Sequence, residues 1–149
     1  MEMMPVTPAD REEFLCMAEQ HFRELDPAFV PHEEWKRSYF EKIQSNPDFF
    51  LRWIIVRGEH AGFILFGLES HRFLPRKTGA IYELYVASAH RRKGVARACA
   101  RQAIRELQAF APSKIQLEVA EGNTAAAELW KSLGFRKVTE RFVLTDGGK

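Results

Sequence analysis

Residues 61–68 read Ala-Gly-Phe-Ile-Leu-Phe-Gly-Leu, a run that is apolar on both faces of an extended strand. Such a strand needs cover on both sides. It is far too short to span a membrane, so the cover must come from the rest of the chain. With 149 residues, that chain is about one domain and can bury a core without a disulfide or metal staple. A hydrophobic share of 46% and a charged share of 28% exclude the collagenous, low-complexity and disordered classes. One globular domain over residues 1–149 is the expectation.

Twenty-two basic and 20 acidic residues leave a net charge of +2, too little to argue for a polyanionic partner unless the positive charges cluster. Cys16 and Cys99 lie far apart without metal-ligand spacing, and both read as reduced structural thiols of a cytoplasmic protein. The five histidines are scattered, and no metal site is expected. Glu2 and Asp10 stand where a secretory leader would carry positive charge, so neither targeting nor membrane insertion is predicted.

No glycine precedes Gly58, and the early punctuation is proline. Thr7-Pro8 with Asp10 starts a helix carrying Phe14, Ala18, Phe22 and Leu25 on one face. A second, with Trp35, Tyr39 and Ile43, ends at Asn46-Pro47. Phe49 to Arg57 and His60 to Glu69 read as a hairpin about Gly58-Glu59. A strand from Ala80 to Ala87, a helix from Gly94 to Phe110 and a strand with Ile115, Leu117 and Val119 follow. A helix from Asn123 to Leu133 and a strand from Phe135 to Leu144 complete the order. The fold class is therefore α/β (α+β): a mixed sheet with helices on both faces, in which Ala80 to Ala120 forms a crossover joining parallel strands. A ligand belongs at the carboxyl ends of those strands, after Ala87 and Ala120.

Between that strand and the long helix lies Ser88-Ala89-His90-Arg91-Arg92-Lys93-Gly94-Val95-Ala96-Arg97. A basic, glycine-containing turn opening a helix gathers backbone N–H groups, the positive end of the helix dipole and several cations at one point. Gly94 lets the backbone come near a pyrophosphate, and Ala96 keeps the first turn clear of bulk. A solvated basic turn would read the same way, but this one sits where the topology places a ligand.

Arg91-x-x-Gly94-x-Ala96 resembles the acyl-CoA signature, Gln/Arg-x-x-Gly-x-Gly/Ala, of the GNAT superfamily of N-acetyltransferases. Asn123 with Ala126, Trp130 and Gly134-Phe135 is similar to that family's Asn-x-x-Ala-x-x-x-Tyr-x-x-x-Gly-Phe element with every spacing kept. The resemblance implies a mostly antiparallel sheet whose parallel pair splays apart, with acetyl-CoA as cosubstrate in the wedge. It implies main-chain bonds from the cofactor arm along Leu84 to Val86, a pyrophosphate on the residues Arg91, Arg92, Lys93, Gly94, Val95 and Ala96, and a contact from Asn123. It also implies a small-molecule or peptide amine as acceptor, and leaves a homodimer open. The basic cluster then has phosphates to meet, and no nucleic-acid partner is needed to explain it.

Trp130 stands where the family's Tyr usually protonates the departing thiolate, and indole N–H is no acid. Deprotonating an amine of pKa about 10.4 at pH 7 costs about 4.6 kcal/mol, against about 2 kcal/mol for release of a thiolate of pKa about 8.5. The base therefore matters more than the acid; Tyr85 or water can donate, and Trp130 reads as a packing wall. Glu83 is the only charge between Ala80 and Ala87, and a carboxylate in an apolar strand needs a partner or a purpose. It is either the base, on the same strand face as Tyr85, or one half of a pair with Arg or Lys; Glu118 is the substitute. A backbone N–H near Val86 would steady the oxyanion. Asp26, Glu33 and Glu34, set against the basic loop from His71 to Lys77, give conflicting signals and assign no acceptor. Two other readings stay open: a non-catalytic acyl-CoA-binding regulator, and a nucleic-acid module resting on the same basic turn.

Overall fold

The computed structural model describes residues 1–146. They fall into two compact units, residues 1–118 and a smaller one beginning at Val119. The first unit is built on a five-stranded sheet ordered β1 (Glu2–Pro5), β2 (Phe49–Val56), β3 (Glu59–Glu69), β4 (Thr78–Val86) and β5 (Ile115–Leu117). Neighbours from β1 to β4 are antiparallel, and β5 runs parallel to β4. Helices α1 (Arg11–Leu25) and α2 (Glu33–Ser45) precede β2, and α3 (Val95–Gln108) links β4 to β5; α4 (Thr124–Ser132) lies in the second unit. No helix among the described residues is long and apolar enough to cross a membrane.

The doubly apolar strand is central, and every residue from Ala61 to Leu68 is buried. Strand alternation divides its side chains between two helical layers. Leu51, Trp53, Phe63, Leu65 and Tyr85 join Phe14, Leu15 and Ala18 of α1 and Phe40 and Ile43 of α2 in one cluster. Ile54, Ile64 and Phe66 are buried on the alternate positions. Arg52, in phase with them, reaches Glu106 of α3 at 3.0 Å, and the buried face of α3 presents Cys99, Ala100, Ala103 and Leu107. Helices thus cover both faces, as the sequence predicts.

Two expectations are corrected. Residues 135–146 contain no helix or strand, so the strand expected from Phe135 to Leu144 is not formed; Phe142 and Leu144 are 87% and 92% exposed. An apolar-polar rhythm shows that a segment can pair, whereas a strand exists only where another edge receives its hydrogen bonds. Cys16 is exposed on α1, so of the two free thiols only Cys99 is a packed one, its pKa pushed up to about 12 by burial and the nearby Glu106 charge.

The start of α1 is tied to the sheet by Asp10. Its Oδ2 accepts the Thr7 N–H at 2.9 Å, the Thr7 hydroxyl at 3.1 Å and the indole N–H of buried Trp53 at 3.0 Å. These bonds, the Thr7 amide foremost, hold the carboxyl below its ordinary value. A depressed folded pKa gives stability that is complete above the unfolded value near 3.9 and is lost as pH falls through the folded one. Asp10→Ala should cost about 1 kcal/mol at pH 7 in urea unfolding. It should also flatten the loss of stability below about pH 4; an unchanged acid slope would remove Asp10 from this role.

Candidate active site

The pairing of β3 with β4 slips between Leu65, opposite Glu83, and Phe66, opposite Ile81, which leaves Tyr82 unmatched. Such a bulge re-aims side chains. Tyr82 and Glu83, although consecutive, both turn toward α1 and α2. Tyr82 meets Phe49 edge-on at 5.2 Å and donates its hydroxyl to Glu69 at 2.8 Å. Glu83 Oε2 lies 2.6 Å from Nε2 of His21 on α1, and the His21 ring centroid is 5.4 Å from that of Tyr85. Glu83 and Tyr85 do share a face, and the partner of Glu83 is a histidine rather than an Arg or Lys. The His21 side chain is 9% exposed and that of Glu83 24%.

Tyr85 is buried and donates its hydroxyl to Glu24 Oε2 at 3.1 Å. Burial, reinforced by the Glu24 carboxylate, pushes its pKa up. The Arg91 guanidinium lies over the same ring at 5.6 Å, pairs with Glu24 Oε1, and donates through Nε to the Val86 carbonyl at 2.6 Å. The first arginine of the basic turn therefore fastens the end of β4 to the end of α1.

Beside this cluster, β4 has an edge that no strand among the described residues pairs. Its pairing with β5 runs only from Gly79 to Ile81, while β4 itself continues to Val86. The Ala87 amide donates to Ala61 of β3 at 2.7 Å, so by period two the main-chain groups of Val86 and Leu84 point the opposite way, toward that edge. The turn that follows ends at Gly94, with φ of +61° at Arg92 and +76° at Gly94. A Cβ on Gly94 would meet nothing within 4 Å, so within the chain the left-handed backbone, not crowding, is what favours glycine there. Among the described residues no side chain caps α3. Its first-turn amides, those of Val95 and Ala96 among them, thus have no partner within the helix. Arg92 and Lys93 are exposed, and Lys93 Nζ reaches the Ala89 carbonyl at 3.3 Å.

In the second unit, Asn123 caps α4, its Oδ1 accepting the Ala126 N–H at 3.2 Å. Trp130 is buried, edge-on to Phe135 at 5.6 Å, the disposition of a packing residue.

Sequence reasoning missed His21 and Glu24. His21 stands seven residues after Phe14 and three after Ala18, on the buried stripe of α1, and that spacing was the available signal. Glu24, one turn further on, carried none, because its partners come from a distant strand and turn. The aromatic group of Phe22, Phe29, Trp35 and Tyr39, with ring centroids 5.0–6.2 Å apart, was legible only in part. Burial and the Glu83 charge push the Tyr39 pKa up. Three of the charges singled out in those segments have partners: Glu34 pairs with Arg37, Lys77 with Asp48, and Arg76 with the carbonyls of Ala111 and Pro112.

A sequence profile of the acetyltransferase (GNAT) family matches residues 14–135. The chain belongs to that family. It is 25% identical over 133 residues to an uncharacterized N-acetyltransferase of Methanocaldococcus jannaschii, covering 89% of this chain and 59% of that protein. The chain thus spans about three fifths of the length of this curated relative. Among solved structures, a probable acetyltransferase superposes with a TM-score of 0.80 at 17% identity, covering 97% of each chain. A ribosomal-protein-alanine N-acetyltransferase from Brucella melitensis does so with 0.74 at 17% identity, covering 97% of this chain and 98% of that one. At these identities the structural likeness establishes the fold.

Because Gly94 is strained for any side chain but is not crowded, Gly94→Ala should destabilise by about 1–2 kcal/mol. Gly94→Ser should cost about the same. A marked difference between the two in thermal unfolding would mean that space, and not φ, selects glycine.

Proposed function

We propose that residues 1–149 act as one N-acetyltransferase domain, with acetyl-CoA as cosubstrate, a primary amine as acceptor and Glu83 as general base, by direct attack in a ternary complex. The observation that carries this is Glu83 itself: a carboxylate in an otherwise apolar strand, held by one buried histidine, beside the strand edge that β5 leaves open. Matching of the family profile across both units supports a single working domain.

The residues present suit acetyl-CoA, which supplies an acyl group activated as a thioester. Leu84 offers main-chain groups to its arm along the open edge, and Val86 offers its N–H, its carbonyl being held by Arg91. The uncapped first turn at Val95 and Ala96, entered through the left-handed Gly94 and flanked by Arg92 and Lys93, suits a pyrophosphate. Arg91 serves by holding that turn to Val86. For Asn123 and Trp130, the match to the family motif is what supports a cofactor role. Glu83 removes the proton of the attacking amine, the larger of the two proton costs, and the Val86 N–H steadies the charge that develops on the acyl oxygen. Tyr85, with its pKa raised, is a weak acid and a secondary donor. The similar ribosomal-protein-alanine N-acetyltransferase places a peptide N-terminus beside small amines as acceptors to test. Trp130 in the family's tyrosine position favours one rival, an acyl-CoA-binding regulator without turnover.

The experiment is release of CoA thiol from acetyl-CoA with ethylamine, phenethylamine, spermidine and an alanine tripeptide. Sustained release with any of them supports the enzyme, and binding without release across the panel supports the regulator. Glu83→Gln should keep the thermal shift given by acetyl-CoA and turn over about a hundred- to ten-thousandfold more slowly at neutral pH. That defect should shrink as pH rises, because more of the amine arrives deprotonated; a rate kept across the pH range would dismiss Glu83 as the base. Trp130→Phe should lower turnover only modestly, and a loss of orders of magnitude with acetyl-CoA binding intact would give the indole a chemical part.

A further inference from the structure

Resting on the reading of Glu83 as the base, the geometry points to His21 as the residue that positions it. His21 is 7% exposed on the face of α1 that otherwise buries Phe14, Leu15 and Ala18. A polar ring in that stripe is costly unless it is paired, and a leucine would pack there at no such cost. Its Nε2 lies 2.6 Å from Glu83 Oε2. An ionised carboxylate only accepts, so the proton of this bond is carried by Nε2.

The ring is wedged: its centroid is 5.0 Å from that of Phe22, 5.6 Å from Phe63 and 5.4 Å from Tyr85. It has little room to swing away. No described residue donates to the other oxygen of Glu83, Oε1, so a single donor fixes the carboxylate by one atom and leaves the second for the amine. The remaining titratable or charged groups around the pair are Tyr39 of α2, Tyr85 of β4, and Glu24 and Arg91 behind the Tyr85 hydroxyl. None of them donates a hydrogen bond to Glu83. In the reaction, the Nε2–H of His21 holds Oε2 throughout, and the proton lost by the amine comes to rest on Oε1. A nucleophile or base held in turn by a third group is a general arrangement in catalytic sites. Here the third group comes from α1 and the base from a bulge in β4.

The test uses the most rapidly acetylated amine of the panel and measures kcat and the KM for acetyl-CoA. His21→Leu removes the donor but packs; His21→Gln keeps an N–H donor. His21→Leu should lower kcat about ten- to a hundredfold, the contribution of one hydrogen bond to a charged group, with KM for acetyl-CoA unchanged. His21→Gln should recover most of the loss. Added to Glu83→Gln, His21→Leu should cost little more, because its effect passes through Glu83. Additive losses, or equal activity of the Leu and Gln variants, would overturn the positioning role while leaving Glu83 as base. An inert Glu83→Gln would instead overturn the base assignment. Nitrogen NMR of the parent His21 ring tests the pair without any variant or acceptor: a proton on Nε2 is expected, and one on Nδ1 alone would overturn the inference.

Discussion

Main-chain N–H and C=O groups left without partners inside a folded protein are expensive, and sheets seldom leave them so. β4 poses this problem, because it continues to Val86 after its parallel neighbour has stopped beside Ile81, and the Val86 carbonyl takes the Arg91 side chain in place of a strand. Leu84 and Val86 then aim main-chain groups at an edge that no strand among the described residues takes. On the other side the same strand end is held firmly: Ala87 is bonded to Ala61, and a Cβ on Gly62 would stand 1.9 Å from the Tyr85 carbonyl oxygen, so the two backbones are in direct contact there. An edge that is rigid on one side and open on the other is a template for an extended ligand, and the basic turn continues directly from it.

The polar residues of β4 follow from the same position. Glu83 and Tyr85 point into an aromatic, apolar layer, where each must be satisfied by a side chain. Both are satisfied from α1: His21 takes Glu83, and Glu24 takes Tyr85 and then Arg91. Among the described residues no buried side-chain nitrogen or oxygen lacks a partner. The end of β4 and the basic turn that follows it are therefore referenced to one helix. That helix is fixed at its other end by Asp10 against Trp53, and by Arg11, which bonds Glu41 and the Lys36 carbonyl of α2 at 2.6 and 2.7 Å. Arg11 is partly exposed and its ion pair contributes little stability. Its geometric effect is to hold α2, with Trp35 and Tyr39, against α1.

Membership of the acetyltransferase (GNAT) family fits this division of labour. In the proposed reaction, deprotonating the amine is the larger task at neutral pH, and Glu83, the base of that proposal, has a defined place and partner. Protonating the leaving thiolate is the smaller task. Under that proposal the tryptophan at position 130, its buried ring against Phe135, leaves the reaction to depend on its base more than on its acid.

The amino-acid order by itself determined the central strand, the two helical layers, the parallel pair joined by α3 and the turn from Arg91 to Ala96. Each of these is written in local periodicity, in turn chemistry or in spacing along a single segment. It also singled out Glu83, because one charge in an apolar strand is conspicuous without any neighbour in view. Only the tertiary structure decided what Glu83 touches, that Arg91 turns back to Glu24 and Val86, that a bulge sets Tyr82 and Glu83 on one face, and that residues 135–146 form no strand. Those outcomes depend on partners such as His21, 62 residues away from Glu83 along the chain. A pattern along a chain records what each segment can bury, and says nothing about which distant side chain or strand edge will be there to meet it.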